Sequence, residues 1–424
     1  MRILFLSNNY QDSIAKINSN ALTKCSWIDA MLDELVKIEK IKIALAFPVN
    51  SKDIQKGQNK QIQLYGLPDV RERNIFRKAY ANLTHAPESI SKNDFIPEVI
   101  NDFSPDIIQI FGSENPFGLI ISQQEKPVII HIQGFLTIWH KKWFTGISKL
   151  DQLRYARLKD LLLMHGVLNE FYTFGKRAER EREILKKCRY FIGRTGFDKR
   201  INALLSPDST YFHCEEFIRK EFFETQWEKP LGKVVKCISI LKGTSYKGID
   251  LLVEAFSILK EYTSYSFEIR ICGVSENEDI IGIIKKRFKR EFNKIDIKFL
   301  GKLSSDKLIK ELTDSNFYIN PSYIENSPNS ICEAMVLGMP VISTNVGGIS
   351  SLITDEVDGL LVQEGEPYSM AGAIIELVND YSFAKLLGKN ARKRSIKRHN
   401  PTIIADRLLE VYESILSSYT EFGL

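Results

Sequence analysis

Short apolar runs rich in β-branched and aromatic residues alternate along this chain with stretches long enough for a helix, and they come in two sets. "RILFLS", "IKIALAF", "PDIIQIFG", "KPVIIHIQG" and "CRYFIGR" occupy the first half; "VVKCISIL", "SFEIRICG", "IDIKFLG", "NFYINPS" and "PVISTN" occupy the second. A strand with one wet face alternates apolar and polar residues, whereas a strand covered on both faces is apolar almost throughout. These runs therefore predict parallel sheets with helices on both sides. Two sets predict two doubly wound α/β domains, and 424 residues at 44% hydrophobic content suffice to fill two cores.

The break between the sets falls at "HCEEFIRKEFFETQWEKPLGK", residues 213–233, which is charged and aromatic and carries a Pro-Leu-Gly turn signal. The expected organisation is a first domain over 1–212, a linker over 213–233, a second domain over 234–400, and a terminal helix over 401–424. Asn400 and Pro401 open that helix as cap and first-turn residue, and it is expected to pack back on the first domain.

Composition excludes several classes. Fifty-eight basic against fifty-three acidic residues give a net charge of +5, too mild for a typical nucleic-acid reader. Six cysteines without a C-x-x-C pair read as buried thiols of a reducing compartment, not as a disulfide frame or zinc site. "MRILFLSNN" is too briefly apolar for a signal peptide, and no uncharged run is long enough to span a bilayer, so a cytoplasmic location is expected.

Open parallel sheets bind ligands outside the carboxyl ends of their strands, which directs attention to the residues just after each strand. "PSYIENSPNSICEAMVLGMPVISTNVGG", residues 321–348, lies at such a place, and it sets Glu325 eight positions before Glu333. A helix is expected to begin near Pro328 or Asn329, with Ser327 as N-cap, leaving the amides of Asn329 and Ser330 free to meet an anion. A phosphate there would lie between two carboxylates, each a good acceptor for sugar hydroxyls, so the spacing fits a nucleotide-sugar with ribose at Glu333 and the transferred sugar at Glu325. "SILKGTSYKGIDLL", residues 239–252, adds Lys242 and Lys247 in a glycine-containing loop, two cations able to neutralise a departing diphosphate. The loop is not a P-loop, because Ile249 stands where G-x-x-x-x-G-K-[ST] needs lysine, and no G-x-G-x-x-G occurs.

The E-x7-E pair, the following "EAMVLGMPVISTNVGG", the preceding "FLGKLSSDKL" and the Lys247-Gly248 loop together resemble the retaining glycosyltransferases of family four, over most of residues 235–365. The first half is similar less strongly, through "PDIIQIFGSENPFGLI", "VIIHIQG" and "YFIGRTGFDKRI", to a bacterial branch that builds surface polysaccharides such as capsule or lipopolysaccharide. The resemblance implies the GT-B architecture, two Rossmann-like domains facing a cleft, the first on the acceptor side and the second binding the donor. It implies that Glu333 holds the ribose, Glu325 the donor sugar, and Lys242 with Lys247 the diphosphate, with Asn329, Ser330, Gly273, Gly301 and Leu303 around the donor and the "GKLS" loop at 301–304 shaping its specificity. The usual loop pair is arginine and lysine, and Lys242 takes the arginine's place. The implied donor is a UDP- or GDP-sugar, and the implied acceptor a glycan or lipid-linked glycan. No D-x-D triplet occurs, so metal-independent transfer without a cofactor is expected.

Two departures from the family pattern stand out. The loop after the first strand, "SNNYQDSIAKINSNALTKCSW", lacks the usual Gly-Gly, and Gln133-Gly134 replaces the usual His-Gly, with His131 two residues earlier. Either Gln133 makes the sugar contact and His131 is an inner histidine, or His131, on the same strand face, approaches the cleft one layer deeper. Glu114 and Arg194 also come directly after strands. Glu114 is either an acceptor for an acceptor hydroxyl or a turn neighbour; Arg194 either touches phosphate or pairs with Asp198. Aromatic and basic residues mix over 139–187, which reads either as a peripheral contact with anionic membrane or as a solvated face over core aromatics. Two further function classes stay open: a nucleotide-sugar 2-epimerase, which acts on the donor alone, and a non-catalytic donor-binding partner.

Overall fold

In a computed structural model, which describes residues 1–8, 27–69, 84, 91–156 and 166–421, the chain forms two α/β units. The first comprises residues 1–140, 172–217 and 400–424, and the second residues 141–171 and 218–399.

The first unit is built on eight strands: β1 (Arg2–Leu6), β2 (Lys42–Val49), β3 (Gln55–Asn59), β4 (Ile62–Pro68), β5 (Ile107–Phe111), β6 (Val128–His131), β7 (Tyr190–Gly193) and β8 (Thr210–His213). Their order is β3-β4-β2-β1-β5-β6-β7-β8, and every neighbouring pair is parallel except β3 with β4. The central runs are buried along their length, as continuous apolarity requires: Ile3, Leu4, Phe5 and Leu6 of β1 are all fully covered. The helix Pro401–Glu421 covers one face with Ile404, Leu408, Val411 and Ile415, and its Tyr412 hydroxyl donates to Gln109 Oε1 on β5 at 2.6 Å. Asn400 accepts from the amides of Thr402 and Ile403 at 3.1 and 3.2 Å, a side-chain cap on the first turn.

The second unit carries six parallel strands, β9 (Val234–Ile240), β10 (Ser266–Cys272), β11 (Asp296–Gly301), β12 (Phe317–Asn320), β13 (Val341–Thr344) and β14 (Leu360–Val362), in the order β11-β10-β9-β12-β13-β14. From β9 the chain winds outward through β10 and β11, then returns to lay β12 on the other side of β9. The strand order therefore reverses at β9/β12, where a crevice opens outside the carboxyl ends. In the first unit the same reversal falls at β1/β5.

The structure corrects the sequence-derived boundaries twice. Residues 213–233 are not a linker: from Ile218 onward they belong to the second unit, where Ile218, Phe222 and Trp227 join a buried cluster and the Trp227 indole donates to Ser315 O at 2.8 Å. Aromatic side chains that dominate this stretch fill the core rather than span a gap. Residues 141–171 leave the first domain for the second unit, because Ile147 is fully buried in its core and Trp143 packs on Tyr246 with ring centroids 5.9 Å apart. Strands β3, β4, β8 and β14 lie outside the apolar runs that mark the other strands in the sequence; β3, "QKGQN", is an edge strand with no apolar residue to betray it. Among the described residues no helix is long and apolar enough to cross a membrane, and five cysteines are free and buried, Cys25 lying outside the described residues.

Candidate functional site

At the β9/β12 reversal two loops meet. The loop after β9 runs Leu241–Gly248 and that after β12 runs Pro321–Pro328; Tyr323 N donates to Tyr246 O at 2.9 Å and ties them together. Gly248, at φ +74°, sits so close to Pro321 that a Cβ would overlap its carbonyl oxygen. Gly347, at φ +55°, presses in the same way on the backbone of Glu325, whose carbonyl accepts from Gly348 N at 3.1 Å. Both glycines stand where only a residue without a side chain permits the approach. The segment carrying Glu325 is thus clamped from both sides. Gly347→Ala is expected to cost about 1–3 kcal/mol from the backbone conformation alone, and more once Glu325 shifts. Thermal unfolding and ligand titration of the variant check both parts.

Glu325 is buried, and its Oε1 receives Lys247 Nζ in an ion pair and Ser322 Oγ at 2.7 Å. Ser322 is held in turn by Thr344 Oγ1 donating to its carbonyl at 2.5 Å. Lys247 is held on its own side by the loop: Ser245 Oγ donates to Trp143 O, and Tyr246 is buried. Lys242 is exposed, and its ammonium makes no hydrogen bond or ion pair with the described residues, so the two lysine side chains differ in how firmly they are held.

Glu333 lies in the helix Asn329–Leu337, buried rather than on an outer face. The helix starts one residue later than a Ser327 cap implies: Pro328 is the cap residue, at φ −70° and ψ 123°, and no side chain caps the turn. Proline's fixed φ suits that position. The amides of Asn329 and Ser330 consequently have no hydrogen-bond partner among the described residues, and they mark the positive end of the helix dipole.

Arg219 is the residue that the motifs do not reveal. Its Nε and Nη2 both donate to Glu333 Oε1, at 3.0 and 2.6 Å, and its Nη1 donates to Ser305 Oγ at 2.8 Å. The guanidinium lies 4.6 Å from the centroid of the buried Phe222 ring, which fixes its plane. Burial pushes the Glu333 carboxyl above its ordinary range, and Arg219 opposes that shift. Both glutamates thus share one arrangement: Oε1 is taken by a cation, and Oε2 has no partner among the described residues. An ionised carboxylate oxygen of this kind is a strong acceptor for a ligand hydroxyl.

Gly273, Gly301 and Leu303, which the resemblance sets around a donor, lie at the same end of the sheet. Gly273 N donates to Gly301 O at 2.7 Å and Gly301 N to Val274 O at 3.1 Å, so the ends of β10 and β11 are laced together beside half-buried Leu303. A cavity of about 620 Å³ adjoins Glu325, lined by Tyr323, Ile324, Gly347, Lys142, Gln363 and Glu364. Lys142 and Glu364 form an ion pair at 2.8 Å on its wall.

In the first unit, His131 is fully buried against Phe111 and Trp27, its Nδ1 3.5 Å from Gln109 Nε2. Burial, reinforced by Arg194, lowers its pKa to about 3, so the ring is neutral at physiological pH. It is an inner histidine. Gln133 is half-buried; its Oε1 accepts weakly from Arg194 Nη2 at 3.4 Å. Gly134 lies against Trp139, with no room for a side chain. Arg194 differs from both sequence readings: it is buried in an ion pair with Glu216, while Asp198 accepts its backbone amide at 2.9 Å and forms a capping box with Thr195. Burial of the guanidinium takes it out of reach of a phosphate. Glu114 comes after β5 at the reversal of this sheet, half-buried, its carbonyl accepting from Arg180 Nη2 at 2.9 Å. Residues 9–26 of the loop after β1, where the Gly-Gly is absent, lie outside the described residues, as do residues 157–165 of the aromatic-basic stretch. Of that stretch's aromatics, Trp143 is spent inside the second unit.

Comparison with known proteins gives three findings. The family described as glycosyl transferases group 1 matches residues 222–394. The capsular polysaccharide biosynthesis glycosyltransferase CapM of Staphylococcus aureus is 29% identical over 177 residues, 40% of this chain and 43% of that one, so the match spans less than half of that relative's length. Among solved structures, sucrose-phosphate synthase of Thermosynechococcus elongatus superposes with a TM-score of 0.72 at 16% identity over 99% of this chain and 100% of that one. Anabaena HepE, in complex with UDP and glucose, superposes with a TM-score of 0.65 at 14% identity over 98% and 100%. At such identities these structures speak to fold alone.

Proposed function

We propose, from the premise that residues 222–394 belong to the glycosyl transferases group 1, that the chain transfers a sugar from a nucleoside-diphosphate sugar to a glycan or lipid-linked acceptor in bacterial surface polysaccharide synthesis, with retention at the anomeric carbon and without a metal. The observation that carries this reading is the shared state of Glu325 and Glu333, each with one oxygen held by a cation and the other without a partner among the described residues, at opposite ends of a helix start whose amides likewise have none there. A nucleoside diphosphate places its phosphates at Asn329 and Ser330, its ribose at Glu333 and its sugar at Glu325. HepE, which shares the fold, is known with UDP and glucose bound, and CapM is named for capsular polysaccharide synthesis; both agree with this assignment.

The chemistry is set by where charge develops. The bond between the anomeric carbon and the diphosphate oxygen breaks, the ring takes on oxocarbenium character, and the acceptor oxygen bonds to the same face while its proton passes to the departing phosphate. Negative charge grows on the leaving diphosphate, so Lys247, the less firmly held Lys242 and the helix amides stabilise the transition state more than the ground state. Glu325 orients the sugar through its hydroxyls. On the acceptor side, Gln133, Gly134 and Glu114 stand just beyond strands of the first unit, and Arg194 Nη2 donates to Gln133 Oε1 at 3.4 Å, while His131 stays inside the sheet against Phe111 and Trp27.

A thermal-shift screen against UDP-, GDP- and ADP-sugars tests the reading. One of them is expected to stabilise the protein by about 2.7 kcal/mol at a hundredfold excess over Kd, and nucleoside diphosphate release is expected to persist in EDTA. No shift with any of the three rejects the donor site; a new epimer formed from donor alone favours the 2-epimerase.

A further inference from the structure

We propose that Arg219 is a positioning residue that makes the site selective for ribonucleotides, by taking one oxygen of Glu333 with two N–H groups and leaving the other oxygen to the ribose hydroxyls. The inference rests on the donor site proposed above and goes past it, because Arg219 lies outside the E-x7-E segment and the lysine loop, 114 positions before its partner.

The geometry argues for positioning rather than for simple charge balance. A lysine at this place supplies a point charge, which either carboxylate oxygen satisfies equally. Arg219 instead spends Nε and Nη2 on Oε1 alone, at 3.0 and 2.6 Å, and Nη1 on Ser305 Oγ at 2.8 Å. Three fixed donors, together with the Phe222 ring 4.6 Å from the guanidinium carbon, set the plane of the guanidinium and through it the torsion of the carboxylate. Oε2 is thereby fixed as the outward acceptor. Ser305 opens the helix Ser305–Thr313 immediately after the "GKLS" loop, so one side chain couples that loop to the carboxylate. A buried carboxylate that lost this partner would face two equivalent rotamers and a strong incentive to take up a proton, and a protonated carboxyl is a poorer acceptor.

The selectivity is a matter of hydrogen-bond accounting. A site with a buried, ionised acceptor rejects a ligand lacking the matching hydroxyl, because the acceptor is then left unpaired. The experiment uses the full chain and whichever of UDP, GDP and ADP binds in the screen, beside its 2′,3′-dideoxy counterpart, with Kd measured by calorimetry for the parent, Arg219→Gln, Arg219→Lys and Glu333→Gln. The parent is expected to prefer the ribonucleotide by about 10–100-fold. Arg219→Gln is expected to keep the dideoxy Kd within about threefold while the preference falls below about threefold, as in Glu333→Gln, and Arg219→Lys to fall between parent and Gln. Should Arg219→Gln fail to fold, the lysine variant carries the test. An unchanged preference in the arginine variants overturns the proposal, and so does an equal loss of both nucleotides, which assigns Arg219 to the phosphates or to the fold. No nucleotide binding by the parent defeats the donor site itself, and an undiminished dideoxy affinity in the parent defeats the ribose role of Glu333; each is distinguishable from failure of the arginine's role.

Discussion

Lys247→Ala is expected to lower kcat/KM for release of nucleoside diphosphate by about 10²–10³-fold, the range seen when one fixed charge stabiliser is removed from a transition state. The complication is structural. Lys247 and Glu325 are an ion pair with side chains 16% and 7% exposed, so removing the lysine strands a carboxylate whose remaining hydrogen bond among the described residues comes from Ser322. Breaking a fully buried pair costs about 3–5 kcal/mol, and the residual exposure of Lys247 brings the figure toward the lower end. Loss of activity alone would therefore not separate chemistry from folding. The double variant Lys247→Met/Glu325→Gln does, because it removes both charges while keeping volume and the Ser322 hydrogen bond. It is expected to recover most of the parent's thermal stability and none of its rate. A double variant that regains turnover would mean that Lys247 serves only to neutralise Glu325, and the diphosphate would have to be held elsewhere.

How far the sequence discloses this site depends on which kind of constraint each residue answers to. Continuous apolar runs report burial on both faces, so the strands that carry the site, β9 and β12, are legible from residues alone. Glu325, Glu333, Lys247 and the glycines at 248 and 347 belong to short segments next to those strands, where local spacing and turn chemistry leave a mark. Arg219 answers to a contact 114 positions away, and no local period encodes such a contact. The signal that the sequence does hold is compositional: Phe217, Phe222, Phe223 and Trp227 are too many aromatics for a solvated linker, and the burial of Phe222 and Trp227 in the second unit is what draws Arg219 to the helix of Glu333. Residues 141–171 pose the same problem in reverse. Their basic residues suggest a surface, while Trp143 and Ile147 disclose packing only once it is known which sheet they meet. Glu333 is buried because the helix Asn329–Leu337 buries nearly all of its length, Ile331 to Leu337, and no local period at Glu333 discloses that.

Asp250→Asn is expected to change how stability depends on pH more than any other single substitution near the site. Asp250 sits in the first turn of the helix Ile249–Tyr262, against Gly146, and accepts the Tyr323 hydroxyl at 2.7 Å through Oδ2, while Oδ1 has no partner among the described residues. Burial raises its pKa to about 7, against the donation from Tyr323. The folded value lies above the unfolded one, about 3.9, so below pH 4 both states are protonated and the group contributes nothing. Between pH 4 and 7 the unfolded chain releases a proton that the folded chain retains, and stability falls as pH rises. Above pH 7 the loss levels off, at about 4 kcal/mol for a shift of about three units. Asparagine cannot titrate, so the difference in unfolding free energy between variant and parent should grow in the variant's favour by a few kcal/mol from pH 4.5 to pH 8, by about 1.4 kcal/mol per unit at most. Whatever constant offset the amide introduces by facing helix N–H groups with an N–H of its own, it shifts the curve without altering its slope. Denaturant titrations of both proteins across that range read the slope directly. Parallel curves would show that Asp250 is already ionised in the folded protein, and the segment carrying Tyr323 and Glu325 would then rest on a buried charge rather than on a neutral hydrogen bond.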